Sequence, residues 1–263
     1  MEIIGYIAAI LVGITLGLIG SGGFLALPIL VYLFHIEDVE TATGYSLFLI
    51  GVVSLMGVFL KHRQGLVNYK MALFFGIPTI LAIFITRKYI IPIIPETLFS
   101  VGFFIITKRM VIMFLLAITM LLSAIVMIRK KLSVDELKIH KKNYLLNFFA
   151  GMMTGTISGF AGIGGGFIIV PALLKIGDLS MKMATGTTLL IVTLNSTFGF
   201  YGSVFHIEID WKLLFFFSLF SLAGMLIGNI ISKKIDGDKL KKGFGWFVLI
   251  AGVLILIKEI ILA

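Results

Sequence analysis

The sequence contains no cysteine and few charged residues. Without cysteine, disulfide bonds and thiolate metal sites are excluded. Charged residues make up 13% of the 263 positions, about half of the share that soluble domains carry. Hydrophobic residues account for 59%, and the mean hydropathy is +1.13. These figures exclude an ordinary soluble domain and predict an integral membrane protein whose surroundings are the lipid bilayer.

Acidic residues and histidines are absent from the middle of the apolar segments. All 13 acids and all 4 histidines lie at segment ends or in loops. Buried carboxylates mark proton relays in membrane proteins, and a membrane-embedded hydrolase needs an acid pair or a cluster of metal ligands. We therefore predict no catalytic residue, no metal and no cofactor, and an interior whose polar groups are neutral. The net charge of +9 is typical of basic loops near anionic lipid, so we expect no nucleic acid as a partner.

Long stretches lack Asp, Glu, Lys and Arg altogether. They cover residues 3–34, 41–60, 71–86, 110–128, 143–174, 183–205, 213–232 and 243–257. A spanning helix needs roughly 20 apolar residues, so most of these stretches are long enough to cross a bilayer once. Two of them, 3–34 and 143–174, are clearly longer.

One glycine-rich motif occurs twice, once in each of these longer segments. It reads Leu16-Gly17-Leu18-Ile19-Gly20-Ser21-Gly22-Gly23 with Pro28 after it, and Ser158-Gly159-Phe160-Ala161-Gly162-Ile163-Gly164-Gly165-Gly166 with Pro171 after it. Glycine clusters unwind helices, because they add backbone freedom and fill no space. Unwound backbone inside a membrane survives only where protein buries it or where it lines a cavity. Helices broken at matching places in two halves therefore point to the binding site of a transporter.

The two halves of the chain align at an offset of 142 residues over most of their length. Ala42-Thr43-Gly44 matches Ala184-Thr185-Gly186, for example. Such self-similarity predicts a duplicated module with a site between the copies. We assign residues 1–128 to a first repeat, 129–144 to a basic cytoplasmic linker and 145–263 to a second repeat.

The distribution of Lys and Arg separates two topologies, because cytoplasmic loops collect these residues. If each broken segment crosses the membrane once, the repeats are parallel and the 22 basic residues divide equally, 11 to each side. If each broken segment turns back as a re-entrant hairpin, the repeats are inverted and 16 of the 22 lie inside. We favour the second arrangement. Four basic residues count against both topologies: Arg87, Lys88, Lys108 and Arg109.

The predicted fold is thus an all-α polytopic integral membrane protein. It has two homologous, inverted-topology repeats, each with a glycine-broken, re-entrant helical hairpin plus about three transmembrane helices. The segment 88–107 contains Pro92 and Pro95, so we expect it to form a loop with a short interfacial helix.

Neutral groups can still hold an anion, since helix N-termini offer free N–H groups and a partial positive charge. The predicted substrate-binding residues are the two breaks and the polar residues of the helices that follow them: Gly20, Ser21, Gly22, Gly23, Thr43, Ser46, Gly162, Gly164, Gly165, Gly166, Thr185, Thr188 and Asn195. Two structural interpretations compete. Glycine also serves close helix packing, and a hydroxyl in a membrane helix often bonds to its own backbone.

With these motifs, the chain resembles the TauE/SafE family of sulfite and organosulfonate exporters, over about residues 5–260. The resemblance rests on the two glycine motifs with Pro28 and Pro171 and on the paired Ala-Thr-Gly helix starts. It implies a plasma-membrane permease, not an enzyme, that exports a small sulfur-containing anion such as sulfite or an organosulfonate. A passive anion channel on the same scaffold and a non-catalytic membrane subunit are the alternatives, and a homo-oligomer is left open.

Overall fold

A computed structural model describes residues 2–101, 104–128, 144–175, 177 and 179–262. The helices of the first half are α1 (Glu2–Ile19), α2 (Ala26–Tyr32), α3 (Val39–Arg63), α4 (Tyr69–Ile85), α5 (Ile91–Ile93) and α6 (Lys108–Ile128). Those of the second half are α7 (Tyr144–Ala161), α8 (Gly166–Lys175), α9 (Met181–Ser203), α10 (Trp211–Lys234) and α11 (Gly237–Leu262). A 3-10 turn (Gly22–Leu25) leads into α2, and two short strands, β1 (Thr97–Val101) and β2 (Phe104–Thr107), precede α6. The predicted linker lies almost wholly outside the described residues.

Five helices in the described part of the chain are long and apolar enough to cross a membrane. They are Val39–Arg63, Tyr69–Ile93, Lys108–Ile128, Trp211–Lys234 and Gly237–Glu259. Helix α9, with 23 residues, is of similar length but carries more polar side chains, and many of these are buried. The helical architecture confirms the prediction of an all-α polytopic membrane protein.

Both glycine motifs end one helix and start another that runs back along it. After α1 and the break, the chain returns through α2, so that a Cβ on Gly5 would overlap the ring of Phe34. In the second half, a Cβ on Gly177 would lie 2.9 Å from the Met71 side chain, at the level where α7 begins to pack along α4. Each glycine break is therefore the tip of a helical hairpin that enters and leaves at the same end of the molecule.

The hairpins pack against helices of the opposite half. Helix α1 lies along α10, and α7 lies along α4. Residue numbers rise together along both pairs, since Gly13 packs against Ser221 and Gly17 against Asn229. Gly155 contacts Thr79 in the same way. Each pair is thus parallel, and glycines let the two backbones approach closely.

Corresponding helices of the two halves run in opposite directions. Helix α3 pairs with α9, and α6 pairs with α11. Gly44 at the start of α3 faces Ser203 at the end of α9, while Gly57 near the end of α3 faces Leu189. In α11, Gly245 contacts Met127 and Ile128 near the end of α6. Gly252, further along α11, contacts Ala117 and Met120, which come earlier in α6. Both pairs are antiparallel.

The loops gather at two ends of the helix bundle. At the Lys233 end (residues 61–68, 179–182 and 229–242), the Lys61 ammonium donates to the Ser232 hydroxyl over 3.0 Å. At the Glu40 end (residues 33–40, 94–97 and 204–210), the Tyr45 hydroxyl donates to the carbonyl oxygen of Glu208. The two ends define the directions from which a central site could be reached.

The connection 88–107 differs from the expected loop with an interfacial helix. Helix α4 continues through a π turn (Thr86–Ile90) into α5, so the helix extends to Ile93. Pro92 follows the π turn closely and lies one residue before the helix ends, so its missing N–H removes at most one helical hydrogen bond. Ile94 is extended, as a residue before proline prefers, and ends the helix. The following residues form the β1–β2 hairpin, which suits their β-branched and aromatic content.

Candidate functional site

The two breaks make reciprocal contacts with the helices that follow them in the opposite repeat. Gly20 has φ of +75°, and a Cβ on it would lie 2.5 Å from the carbonyl oxygen of Thr185. Gly162 has φ of +63°, and a Cβ on it would lie 2.7 Å from the carbonyl oxygen of Thr43. Both pairs are related by the offset of 142 residues. Glycine is required at each position by the backbone conformation and by the close approach.

The breaks also touch each other. A Cβ on Gly166, the first residue of α8, would lie 2.9 Å from the Cα of Ser21. The rings of Phe24, in the 3-10 turn before α2, and Phe167, the second residue of α8, pack edge to face with centroids 6.2 Å apart. The N-terminal ends of the two returning helices therefore meet. Ala26 at the start of α2 and Ile168 in the first turn of α8 already donate to the carbonyls of Gly23 and Gly165, so the partial positive charge of the two helix starts lies with the N–H groups just before them.

The remaining predicted glycines pack the tips of the hairpins. Gly22 folds back onto Thr15 of α1, and Gly165 folds back in the same way onto Ser158 of α7. A Cβ on Gly23 would lie 2.7 Å from the side chain of Ile50. These three positions allow tight turns and close packing, which is the structural interpretation weighed for glycine.

Equivalent faces of α3 and α9 line the two breaks. On α3, Thr43 contacts Gly162, and Ile50 contacts Gly23. The Ile50 side chain also lies 3.6 Å from the Cβ position of Gly164. Ser46 lies between them, because residues at i, i+3 and i+7 share one helix face. On α9, the equivalent residues are Thr185, Thr188 and Val192. Thr185 contacts Gly20 and Val192 contacts Gly164, so Thr188 is also directed towards the breaks.

Four buried hydroxyls around the breaks have no protein hydrogen-bond partner within the described residues. They are Ser21, Ser46, Thr188 and Ser196. Each is at most 2% exposed. Ser196 faces the second break, since a Cβ on Gly164 would lie 2.5 Å from its Oγ. Burying a hydroxyl without a partner is unfavourable, and such a group in a native structure calls for a partner, such as a water molecule or a bound ligand.

The other predicted polar residues have protein partners. Asn195 donates to the carbonyl oxygen of Gly164 over 3.2 Å and accepts from the Thr79 hydroxyl over 3.1 Å. The Thr185 hydroxyl donates to the carbonyl of Met181 in its own helix, which is the competing interpretation for helical hydroxyls. Asn195 therefore positions the second break, and Thr185 contributes its backbone to the contact with Gly20.

The prediction of an uncharged interior is wrong at Arg87. This arginine is 1% exposed and lies beside the second break. It donates to the hydroxyls of Ser203 over 2.6 Å and Thr43 over 2.7 Å. It also reaches the carbonyl of Gly159 in the last turn of α7, where a cation offsets the negative end of the helix dipole. One sequence signal did mark this residue, since Arg87 contradicted both topologies in the charge count.

Lys61 is a second buried cation that the sequence did not reveal. It is 3% exposed, and its Cβ lies 3.1 Å from the Cβ position of Gly186, next to the Thr185 that contacts the first break. Within the described residues, neither Lys61 nor Arg87 has a carboxylate within 4.0 Å. Hydroxyl groups, helix N-termini and two unpaired cations form a set of donors suited to a small oxyanion.

Paired helix breaks at the centre of a multi-pass protein of the cell membrane are typical of membrane transporters. The sulfite exporter TauE/SafE family matches residues 5–255, and the chain belongs to this family. A probable membrane transporter protein of Xylella fastidiosa is 27% identical over 94% of the chain and 91% of its own length. The probable membrane transporter protein YdhB of Bacillus subtilis is 29% identical over 94% of the chain and 96% of its own length. No solved structure matches the chain.

Proposed function

We propose that this transporter is a secondary carrier that exports a small sulfur-containing oxyanion, such as sulfite or an organosulfonate. The observation that carries the proposal is the group of four unpartnered, buried hydroxyls beside the two touching helix breaks. Oxyanions accept several hydrogen bonds at once, and hydroxyls and helix N-termini supply them without a fixed negative charge nearby. Sulfur chemistry comes from the family to which the chain belongs.

We further propose that the repeats, 1–128 and 145–263, have inverted topology. The antiparallel pairing of α3 with α9 and of α6 with α11 supports this arrangement. A two-fold axis in the membrane plane turns a helix into an antiparallel copy, whereas an axis along the membrane normal leaves the copy parallel. The Lys233 end carries more of the Lys and Arg residues, so it faces the cytoplasm.

Alternating access follows from this symmetry. Each hairpin packs mainly on the opposite half, so α1 moves with α10 and α7 moves with α4. If the α1–α10 unit and the α7–α4 unit rock about the central contact, two contacts can open in turn. One is the contact between Gly20 and Thr185, and the other is the contact between Gly162 and Thr43. The anion binds between the breaks in either orientation.

Flux measurements in proteoliposomes test the proposal. We expect saturable flux of sulfite or sulfoacetate, weaker flux of sulfate and chloride, and no single-channel currents. No flux of any of these anions under any gradient contradicts the oxyanion assignment. Large single-channel currents would instead identify a passive anion channel on the same scaffold.

A further inference from the structure

We propose that Arg87 and Lys61 are two anion-binding stations, one on each side of the central hydroxyls, through which the anion enters and leaves. This inference rests on the proposed function and adds two charged sites to it. The station at Arg87 is reached from the Glu40 end, and the station at Lys61 is reached from the Lys233 end. The ligand of both is the same small oxyanion.

The burial of both cations is the first argument. A charged side chain within a membrane protein is costly, and it is normally paired with an opposite charge. Arg87 has only hydroxyl and carbonyl partners, and Lys61 donates to one hydroxyl, that of Ser232. Lys182 and Lys233 add positive potential around Lys61. Glu40 and Asp38 attract Arg87 only from beyond 4.0 Å, and Glu40 is already paired with Lys108. An oxyanion supplies the direct countercharge that both cations lack.

The positions of the two cations relative to the repeat are the second argument. Gly44 and Gly186 are equivalent at the offset of 142, and each follows a threonine that contacts a break. The Cβ position of Gly44 lies 3.5 Å from Arg87 Nη2. The Cβ position of Gly186 lies 3.1 Å from the Cβ of Lys61. The cations thus flank equivalent parts of the site, at opposite ends of the antiparallel α3–α9 pair.

The hydroxyl partners of the cations explain how an anion could be received. Thr43 and Ser203 accept from Arg87, and Ser232 accepts from Lys61. A hydroxyl is both a donor and an acceptor and can rotate. When an oxyanion reaches the cation, its oxygens replace the hydroxyl oxygens as acceptors. Each hydroxyl, which otherwise donates to a carbonyl of its own helix, can then rotate and donate to the anion.

The two stations differ in chemistry. A guanidinium presents a planar fork of N–H groups that can bind two oxygens of one oxyanion, whereas an ammonium is a point charge. The Glu40 end therefore selects for an oxyanion with two available oxygens. The Lys233 end attracts small anions with less discrimination.

Sided transport measurements test the inference. Labelled sulfite is supplied from one face at a time to proteoliposomes in which the transporter has a uniform orientation. We expect Arg87→Gln to raise the half-saturating concentration from the Glu40 face by about 10-fold or more, since charged hydrogen bonds are lost. From the other face we expect a change of less than about threefold. Lys61→Gln should show the reverse pattern.

Matched variants separate the stations from general charge effects. Lys88→Gln, next to Arg87 in the sequence, and Lys234→Gln, an exposed position at the Lys233 end, should leave both half-saturating concentrations unchanged. Arg87→Lys keeps the charge without the fork, so it should bind from the Glu40 face more weakly than the wild type. It should also discriminate less between sulfite and chloride.

The outcomes distinguish this inference from the proposed function. An inactive wild-type protein contradicts the function itself. The second outcome is an active wild type with folded Arg87→Gln and Lys61→Gln variants. If these variants change the half-saturating concentration equally from both faces, or from neither, the two stations are ruled out. The proposed central site is unaffected by that result. If Arg87→Gln does not fold, the Arg87→Lys variant is measured from the Glu40 face instead. A half-saturating concentration and an anion selectivity equal to those of the wild type then rule out the Arg87 station.

Discussion

Gly20 and Thr185 approach each other so closely that a Cβ on the glycine would lie 2.5 Å from the threonine carbonyl oxygen. The contact joins the first helix break to α9 of the opposite repeat, and Gly162 repeats it with Thr43. Because these contacts connect the halves directly, they determine how the two hairpin tips are held against each other.

A comparison of two glycines separates the close approach from backbone strain. Gly20→Ala should destabilise the protein by about 3 kcal/mol, because it combines left-handed strain with overlap against backbone. Gly65 also has a positive φ, +67°, but its Cβ position has nothing within 4 Å. Gly65→Ala should therefore cost about 1 kcal/mol. Thermal unfolding in detergent measures both, and equal losses would contradict the importance of the Thr185 contact.

The unpartnered hydroxyls predict that affinity and stability change independently. Thr188→Val replaces a buried, unpaired hydroxyl by a methyl group, so the melting temperature should stay the same or rise. The affinity for sulfite should fall by about 10-fold or more, because a hydrogen bond to a charged ligand is lost. Isothermal titration and thermal unfolding measure the two effects.

Ser218 provides the control for this experiment. It is also buried and without a partner among the described residues, but it lies on α10 and is not among the residues that contact the breaks. Ser218→Ala should leave the affinity unchanged. An equal loss of affinity in both variants, or none in Thr188→Val, argues against a site at the hydroxyls.

The inverted arrangement predicts the sidedness of two lysines. The chain has no cysteine, so single cysteines can be introduced on a clean background. Lys212→Cys and Lys234→Cys both lie at exposed positions. With intact cells, a membrane-impermeant maleimide should label the first variant and not the second, and permeabilised cells should show both. The opposite pattern is expected for parallel repeats in which residues 206–212 face the cytoplasm.

A buried ion pair joins the starts of α3 and α6. Lys108 Nζ lies 2.8 Å from a carboxylate oxygen of Glu40, and the two side chains are 4% and 12% exposed. Lys108→Met should destabilise the protein by about 3 kcal/mol, because Glu40 is left with an uncompensated, partly buried charge. Glu96→Gln should cost less than about 1 kcal/mol, since the Glu96 side chain is 70% exposed and lies 3.5 Å from Lys108 Nζ. Similar melting temperatures for the two variants would contradict this ranking.

Much of the fold could be predicted because local rules decide it. Long uncharged stretches predicted the membrane helices, and the glycine motifs predicted where α1 and α7 end. The connection 88–107 was harder to predict, because a proline near the end of a helix, shortly after a π turn, does not interrupt it. The sequence alone did not distinguish that position of Pro92 from a helix break.

The candidate site was predictable in its backbone and less so in its side chains. Ser21, Ser46 and Thr188 belonged to the predicted site, and the structure leaves their hydroxyls unpaired. Asn195 was also predicted, but its amide is satisfied by Gly164 and Thr79. Whether a polar group has a partner depends on residues distant in sequence, which composition and spacing do not report.

By itself, the sequence determined that the chain lies in a membrane and that a long apolar segment in each half contains a glycine break. These properties follow from hydropathy and from glycine, which act locally. Only the tertiary structure decided that Arg87 and Lys61 are buried at the ends of α3 and α9. Arg87 is held by Thr43, Gly159 and Ser203, which come from three helices in both halves of the chain, and only packing brings them together.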